Sequence, residues 1–175
     1  MTEKQTTKPD PTLQSQSRPQ RPLKDALIKA LATGFYFGYS PIVAGTVGSI
    51  PPLLITWFLI GENLPLLAGV AVFTTLVSIW VAGEAEELFG HDSKSIVSDE
   101  WAGMFITVLF IPPSPLNYII CFVAFRVFDV IKLWPAGAAE KLPRGWGVTL
   151  DDVVAGIQAN LAVQLILLIL TTWRS

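Results

Sequence analysis

Asp99–Glu100 and Asp151–Asp152 are two pairs of adjacent acids, each at the edge of a long apolar run. Neighbouring carboxylates repel one another unless a proton or a cation sits between them. Two such pairs favour a hard divalent cation such as Mg²⁺, which takes oxygen ligands. Each pair also has a plainer reading. Ser98-Asp99-Glu100 fits a helix start, with Ser98 as N-cap and the acids in the favourable first turn. Thr149 and Asp152 have the spacing of a capping box. A cap uses one carboxylate, however, and each motif supplies two.

A third motif, "RVFDVIK", repeats charge every three residues through Arg126, Asp129 and Lys132, so on a helix the three lie along one side. Asp129 then joins the metal set, and Arg126 and Lys132 face an anion. The alternative is a solvated helix end with a weak local ion pair. In "SPIVAGTVGS", Thr46 and Ser49 lie among glycines that let the backbone approach a phosphate. The same composition also serves as a helix-packing surface inside a membrane. His91, the only histidine, is a candidate proton donor to a leaving alkoxide, with Asp92 beside it. A lone histidine in a loop is, however, more often simply solvated. Glu84, Glu86 and Glu87 would be unfavourable at a helix C-terminus, so that helix is expected to continue past them as a solvated face.

The elements that carry these residues are apolar. Of the 175 residues 51% are hydrophobic and 15% charged, against about 25% charged in a soluble domain. Mean hydropathy is +0.52. The net charge of −2 gives no electrostatic case for nucleic acid. The single cysteine, Cys121, excludes an intrachain disulfide. Residues 1–22 are polar and proline-rich, and we expect a disordered tail there, ahead of one helical membrane domain over 23–175. Residues 23–33 have the spacing of a short amphipathic helix on the membrane surface.

Five apolar runs follow, at 41–60, 64–82, 101–111, 116–125 and 153–173. The second and last are long enough for the roughly 30 Å hydrocarbon core. The two short runs flank "PPSP" at 112–115 and read as a helical hairpin, because proline breaks helix interiors. Tracking direction brings every polar motif to one face. Of the twelve Lys and Arg residues only Arg174 falls opposite, and the positive-inside rule then makes the motif face cytoplasmic. The expected fold class is an all-α, multi-helix integral membrane bundle.

Four blocks in order resemble the phosphatidylglycerophosphatase A family, over about Gly34 to Gly156. "SPIVAGTVGS" is similar to the family's Ser-Pro, Pro-Gly-Thr, Gly-Ser block, and "HDSKSIVSDEWAG" to its Asp-x-x-x-Ile-Val-x-Asp-Glu-x-x-Gly block. "FRVFDVIKLWP" and "LPRGWGVTLDDVVAG" resemble the remaining two. Ala44, Leu133 and Arg144 depart from the pattern, at positions that affect loop stiffness and not acidic charge. The resemblance implies an Mg²⁺-dependent, all-helical phosphatase of the bacterial cytoplasmic membrane. Its lipid substrate would be phosphatidylglycerophosphate and its product phosphatidylglycerol. Asp99, Glu100, Asp129, Asp151 and Asp152 would then form the carboxylate set, some of them on the metal and one orienting water. Lys132, Arg126, Thr46 and Ser49 would hold phosphate. Two rivals follow from the same residues: a cation or proton transporter using the acids, and a phosphatase for another lipid phosphate.

Overall fold

A computed structural model describes residues 21–90 and 93–173. Residues 1–20 of the expected 1–22 tail, His91, Asp92 and Arg174 therefore lie outside the described residues, and Pro22 already belongs to the first helix. Within them every regular element is helical. The amphipathic segment forms α1 (Pro22–Ala32), and a tight turn leads to a single 3-10 turn, Phe37–Tyr39. The first apolar run does not form one helix. It divides into α2 (Ala44–Gly48), α3 (Ile50–Ile55) and a π-helical turn (Thr56–Ile60). The Pro51-Pro52 pair falls in the first turn of α3, where missing N–H groups cost least.

Two helices are long and apolar enough to cross a bilayer: α4 (Leu64–Phe89) and α8 (Gly145–Thr172). At 1.5 Å per residue they extend about 39 and 42 Å. Asn63 caps α4 by accepting from the Leu66 N–H at 3.1 Å. The helix runs on past Glu84, Glu86 and Glu87, as the charge argument requires. Outward side chains such as Phe73, Leu76, Leu161 and Leu168 are exposed, the pattern of a surface that faces lipid.

Between them lies the hairpin of α5 (Ser98–Thr107) and α6 (Pro115–Ile131). Ser114 caps α6 through the Asn117 N–H, and the Asn117 amide donates to Pro112 O at 2.8 Å, so "PPSP" becomes the bend. α5 is the centre of the molecule, with Ala102, Gly103, Met104, Phe105 and Thr107 all buried. Its short length leaves carbonyls without helical partners inside an apolar medium. Asn160 of α8 meets them, donating to Thr107 O at 2.9 Å and Leu109 O at 2.6 Å. Phe105, Val108, Phe125, Ala159 and Val163 fill the main core. Ile28 and Ala32 of α1 pack with Val81, Ala82 and Ala85 of α4 in a second cluster.

Neither of the plainer capping readings describes the helix starts. α8 begins at Gly145, so Thr149–Asp152 lies inside the helix and forms no capping box. α5 has Val97 at its N-cap position with no side-chain cap, and Ser98 is already helical. The hydroxyls have a different use. Buried Ser78 of α4 donates to the Ser98 hydroxyl at 3.2 Å and shares a hydrogen bond with Thr149 at 2.9 Å. One hydroxyl cluster thus ties α4, α5 and α8 together directly beside the acidic pairs. The short α7 (Ala136–Ala139) links α6 to α8. Arg144 occupies the N-cap of α8 at φ 55°, a left-handed position that suits glycine, and its guanidinium pairs with Glu87 at 2.8 Å.

Candidate active site

Segments far apart in sequence line one cavity of about 900 Å³. Asp99 and Glu100 come from the first turn of α5, Arg126 and Asp129 from α6, and Lys132 from its C-cap. Glu140 follows α7, and Asp151 and Asp152 come from the second turn of α8. Gly38–Pro41, Val43–Gly45 and Ser93–Ile96 close the remaining wall.

The carboxylates divide into two kinds. Asp99, Glu100 and Asp152 each offer an oxygen within 4.8 Å of the others. The Glu100 Oε2 is buried without a hydrogen-bond partner. A buried, unsatisfied carboxylate oxygen is costly on its own and is the donor a hard cation takes. The donor set therefore fits a metal ion. Burial, and after it the charge of Glu100, holds the Asp99 carboxyl well above the ordinary carboxylate range. Burial also lifts Glu100 to about 8; the charges of Asp152 and Asp129 add to this, and Arg126 pulls the other way.

Asp129 and Asp151 instead hold cations. Arg126 Nη1 stands 2.8 Å from Asp129 Oδ2, an ion pair too bent for a hydrogen bond, and 3.9 Å from Glu100 Oε1. Lys132 Nζ lies 2.8 Å from Asp151 Oδ2 and 2.6 Å from Glu140 Oε1. Burial alone would lower the Lys132 pKa; its bonds to Asp151 and Glu140 outweigh that and raise it, so the ammonium stays charged. Lys132 adopts φ 49°, the left-handed C-cap that ends α6 and turns its side chain toward α8. The Gln158 amide of α8 steadies the following segment by donating to Trp134 O at 3.1 Å.

Of the other residues read from the sequence, Ser49 is buried and donates to Gly45 O at 2.7 Å, and Thr46 does not line the cavity. The "SPIVAGTVGS" block contributes instead through backbone and glycine. A Cβ on Gly45 would overlap the Glu100 carboxylate and crowd the Arg126 guanidinium. Glu84, Glu86 and Glu87 do not line the cavity; Glu84 pairs with Lys24 of α1 at 2.6 Å. The sequence reading missed Glu140 and Lys94. Glu140 has no periodic relation to Lys132 and reaches it only because α7 folds the chain back.

The family model for Phosphatidylglycerophosphatase A matches residues 30–167. The chain belongs to the phosphatidylglycerophosphatase A family. A phosphatidylglycerophosphatase A of Escherichia coli K12 is 33% identical over 130 residues, 73% of this chain and 76% of that protein. The Haemophilus influenzae phosphatidylglycerophosphatase A is 34% identical over 145 residues, 78% and 86% of the two chains. A Bacteroides thetaiotaomicron protein, provisionally named a phosphatidylinositol-3-phosphatase, is 32% identical over 142 residues, 76% and 89%. No solved structure matches the chain at comparable significance. The match to the phosphatidylglycerophosphatase A model begins inside α1 and ends inside α8, so it includes every charged residue of the cavity.

Proposed function

We propose that this chain hydrolyses the terminal phosphate monoester of phosphatidylglycerophosphate, giving phosphatidylglycerol and inorganic phosphate. The observation that carries the proposal is one cavity that holds the cationic Arg126 and Lys132 together with three mutually close carboxylates, in a chain of this family. A phosphomonoester dianion needs its charge neutralised before water can attack phosphorus. Arg126 presents a planar fork for phosphate oxygens, and Asp129 holds that fork in place. Lys132 supplies a second, point-like positive charge, oriented by Asp151. The attacking water forms the new P–O bond, the bond to the glycerol oxygen breaks, and that oxygen takes up a proton. Asp99, Glu100 and Asp152 would hold Mg²⁺, which supplies charge neutralisation and lowers the pKa of water. His91 and Asp92, outside the described residues, remain the proposed accessory proton donor and its neighbour.

The cavity end faces the cytoplasm in this reading, with the chain crossing the membrane several times. Among the described residues, every Lys and Arg belongs to segments at the cavity end, and Glu62 is the charged residue at the opposite end. Positive charge marks the cytoplasmic side. A second lipid phosphate is the rival supported by the Bacteroides relative's name. A transporter is disfavoured, because the acids gather in one cavity at one end and do not line a path between α4 and α8.

The test is phosphate release from phosphatidylglycerophosphate by the purified full chain in detergent. We expect release with Mg²⁺, none with EDTA, and loss of at least about a hundredfold in Asp152→Asn. No release from folded, Mg²⁺-supplied protein would overturn the assignment. Faster release from a phosphoinositide would move it to the rival lipid.

A further inference from the structure

Residues 34–43 form a strap between α1 and α2 that is unusual in backbone and side chains alike. Gly34, Phe35 and Tyr36 all have left-handed φ (53°, 54° and 74°), and Val43 follows at 35°. Side chains with a Cβ resist this region, β-branched ones most of all. Burial does not explain the cost: Phe35 and Tyr36 are each 59% exposed, Ile42 74% and Val43 64%. Tyr39 stacks on Tyr36 with ring centroids 6.1 Å apart. Tyr39 and Val43 also line the catalytic cavity. The strap thus joins exposed apolar side chains to the cavity that Arg126 and Lys132 also line.

In water such a surface would be an aggregation hazard. At a membrane it has a natural place, because aromatic rings with a polar edge favour the headgroup level. The neighbouring charges fit the same place. Lys29 in the last turn of α1, just before the strap, and Lys94 in the cavity wall carry positive charge, and basic residues at this level attract anionic headgroups. Leu23 and Leu27 of α1, both exposed, continue the apolar surface away from the cavity.

We propose that the strap lies in the headgroup layer of an anionic leaflet and is a lateral doorway: a phospholipid slides its phosphate past Tyr39 and Val43 into the cavity while its acyl chains stay against Tyr36 and Ile42. This rests on the reading of the substrate as a membrane lipid, and it names the route by which that lipid arrives.

The test uses the full chain in vesicles of phosphatidylethanolamine and phosphatidylglycerol. In a Cys121→Ala background, Tyr36→Cys is labelled with bimane, and quenching by headgroup-level and deep-chain nitroxide lipids is compared with quenching by aqueous iodide. Strongest quenching by the shallow nitroxide is expected. Quenching by iodide alone would overturn the proposal. So would disulfide cross-linking of two copies through residue 36, which would make the strap a protein–protein contact. In parallel, Tyr36→Ser/Ile42→Ser should raise KM for bilayer-embedded substrate about tenfold with kcat kept, and leave turnover of a water-soluble monoester within about twofold. Equal losses on both substrates would overturn it. The quenching result stands apart from catalysis: wild-type protein that releases no phosphate sinks the enzymatic reading and leaves the depth measurement interpretable.

Discussion

Gly103 and Gly156 meet backbone to backbone where α5 crosses α8, so closely that a Cβ on Gly156 would strike the Gly103 carbonyl. The contact sets the register of the site. Asp99 lies four residues before one glycine and Asp152 four before the other, so each carboxylate stands one helical turn from the crossing. Gly156→Val should therefore separate the acids without removing either. A misplacement of about 1 Å costs on the order of a hundredfold in rate. We expect that loss in kcat/KM, together with disappearance of any cation-induced rise in melting temperature. Wild-type kinetics in this variant would show that the crossing does not position the carboxylates.

Metal-free protein should lose stability as pH rises. Glu100 keeps its proton in the folded state until about pH 8, whereas the ordinary value is 4.5, and Asp99 is shifted the same way. Unfolding then releases protons in that window, so stability falls as pH climbs through it and levels off above. A divalent cation replaces the proton, and its benefit should grow with pH. Thermal unfolding in detergent, with EDTA against Mg²⁺ at pH 5 and pH 8, reads this directly. Equal cation effects at both values would contradict it.

If Lys132 binds phosphate as proposed, Glu140 should compete with substrate for it. Its carboxylate is half exposed and holds Lys132 Nζ at 2.6 Å, alongside the buried Asp151 at 2.8 Å. Removing the charge in Glu140→Gln should free the ammonium for phosphate. A partly exposed pair contributes up to about 1 kcal/mol, so KM should fall by roughly fivefold or less with kcat little changed. A rise in KM would mean that Glu140 positions Lys132 and does not compete for it.

Asn160→Leu should destabilise without touching chemistry. The substitution strips the Thr107 and Leu109 carbonyls of their shared donor in an apolar interior. Leaving buried carbonyls unsatisfied costs about 1–3 kcal/mol. A denaturant titration in detergent should show that loss, with Mg²⁺-dependent turnover of the folded fraction preserved.

The apolar runs, the hairpin bend and the acids of the site were legible in the sequence because each is a local signal: run length, proline, charge at an apolar edge. Misread features depended on distant partners. Ser98 looked like a cap until Ser78, twenty residues earlier, claimed its hydroxyl. The start of α8 was obscured because "RGWG" has loop composition, although close approach of Gly145 to Ile79 and Gly83 of α4 requires glycine there. Thr46 and Ser49 were plausible phosphate ligands by type; neither lines the cavity, where Gly45 of the same block leaves room for Glu100 and Arg126. Glu140 carried no periodic signal and becomes visible once α7 has turned the chain.

The hydroxyls of Ser78, Ser98 and Thr149 do not titrate in the range where the carboxylates beside them do. Three helices are therefore held at a fixed spacing by groups indifferent to whether those acids carry protons or a cation. A change in what those acids hold, proton or cation, therefore need not move the helices that carry them.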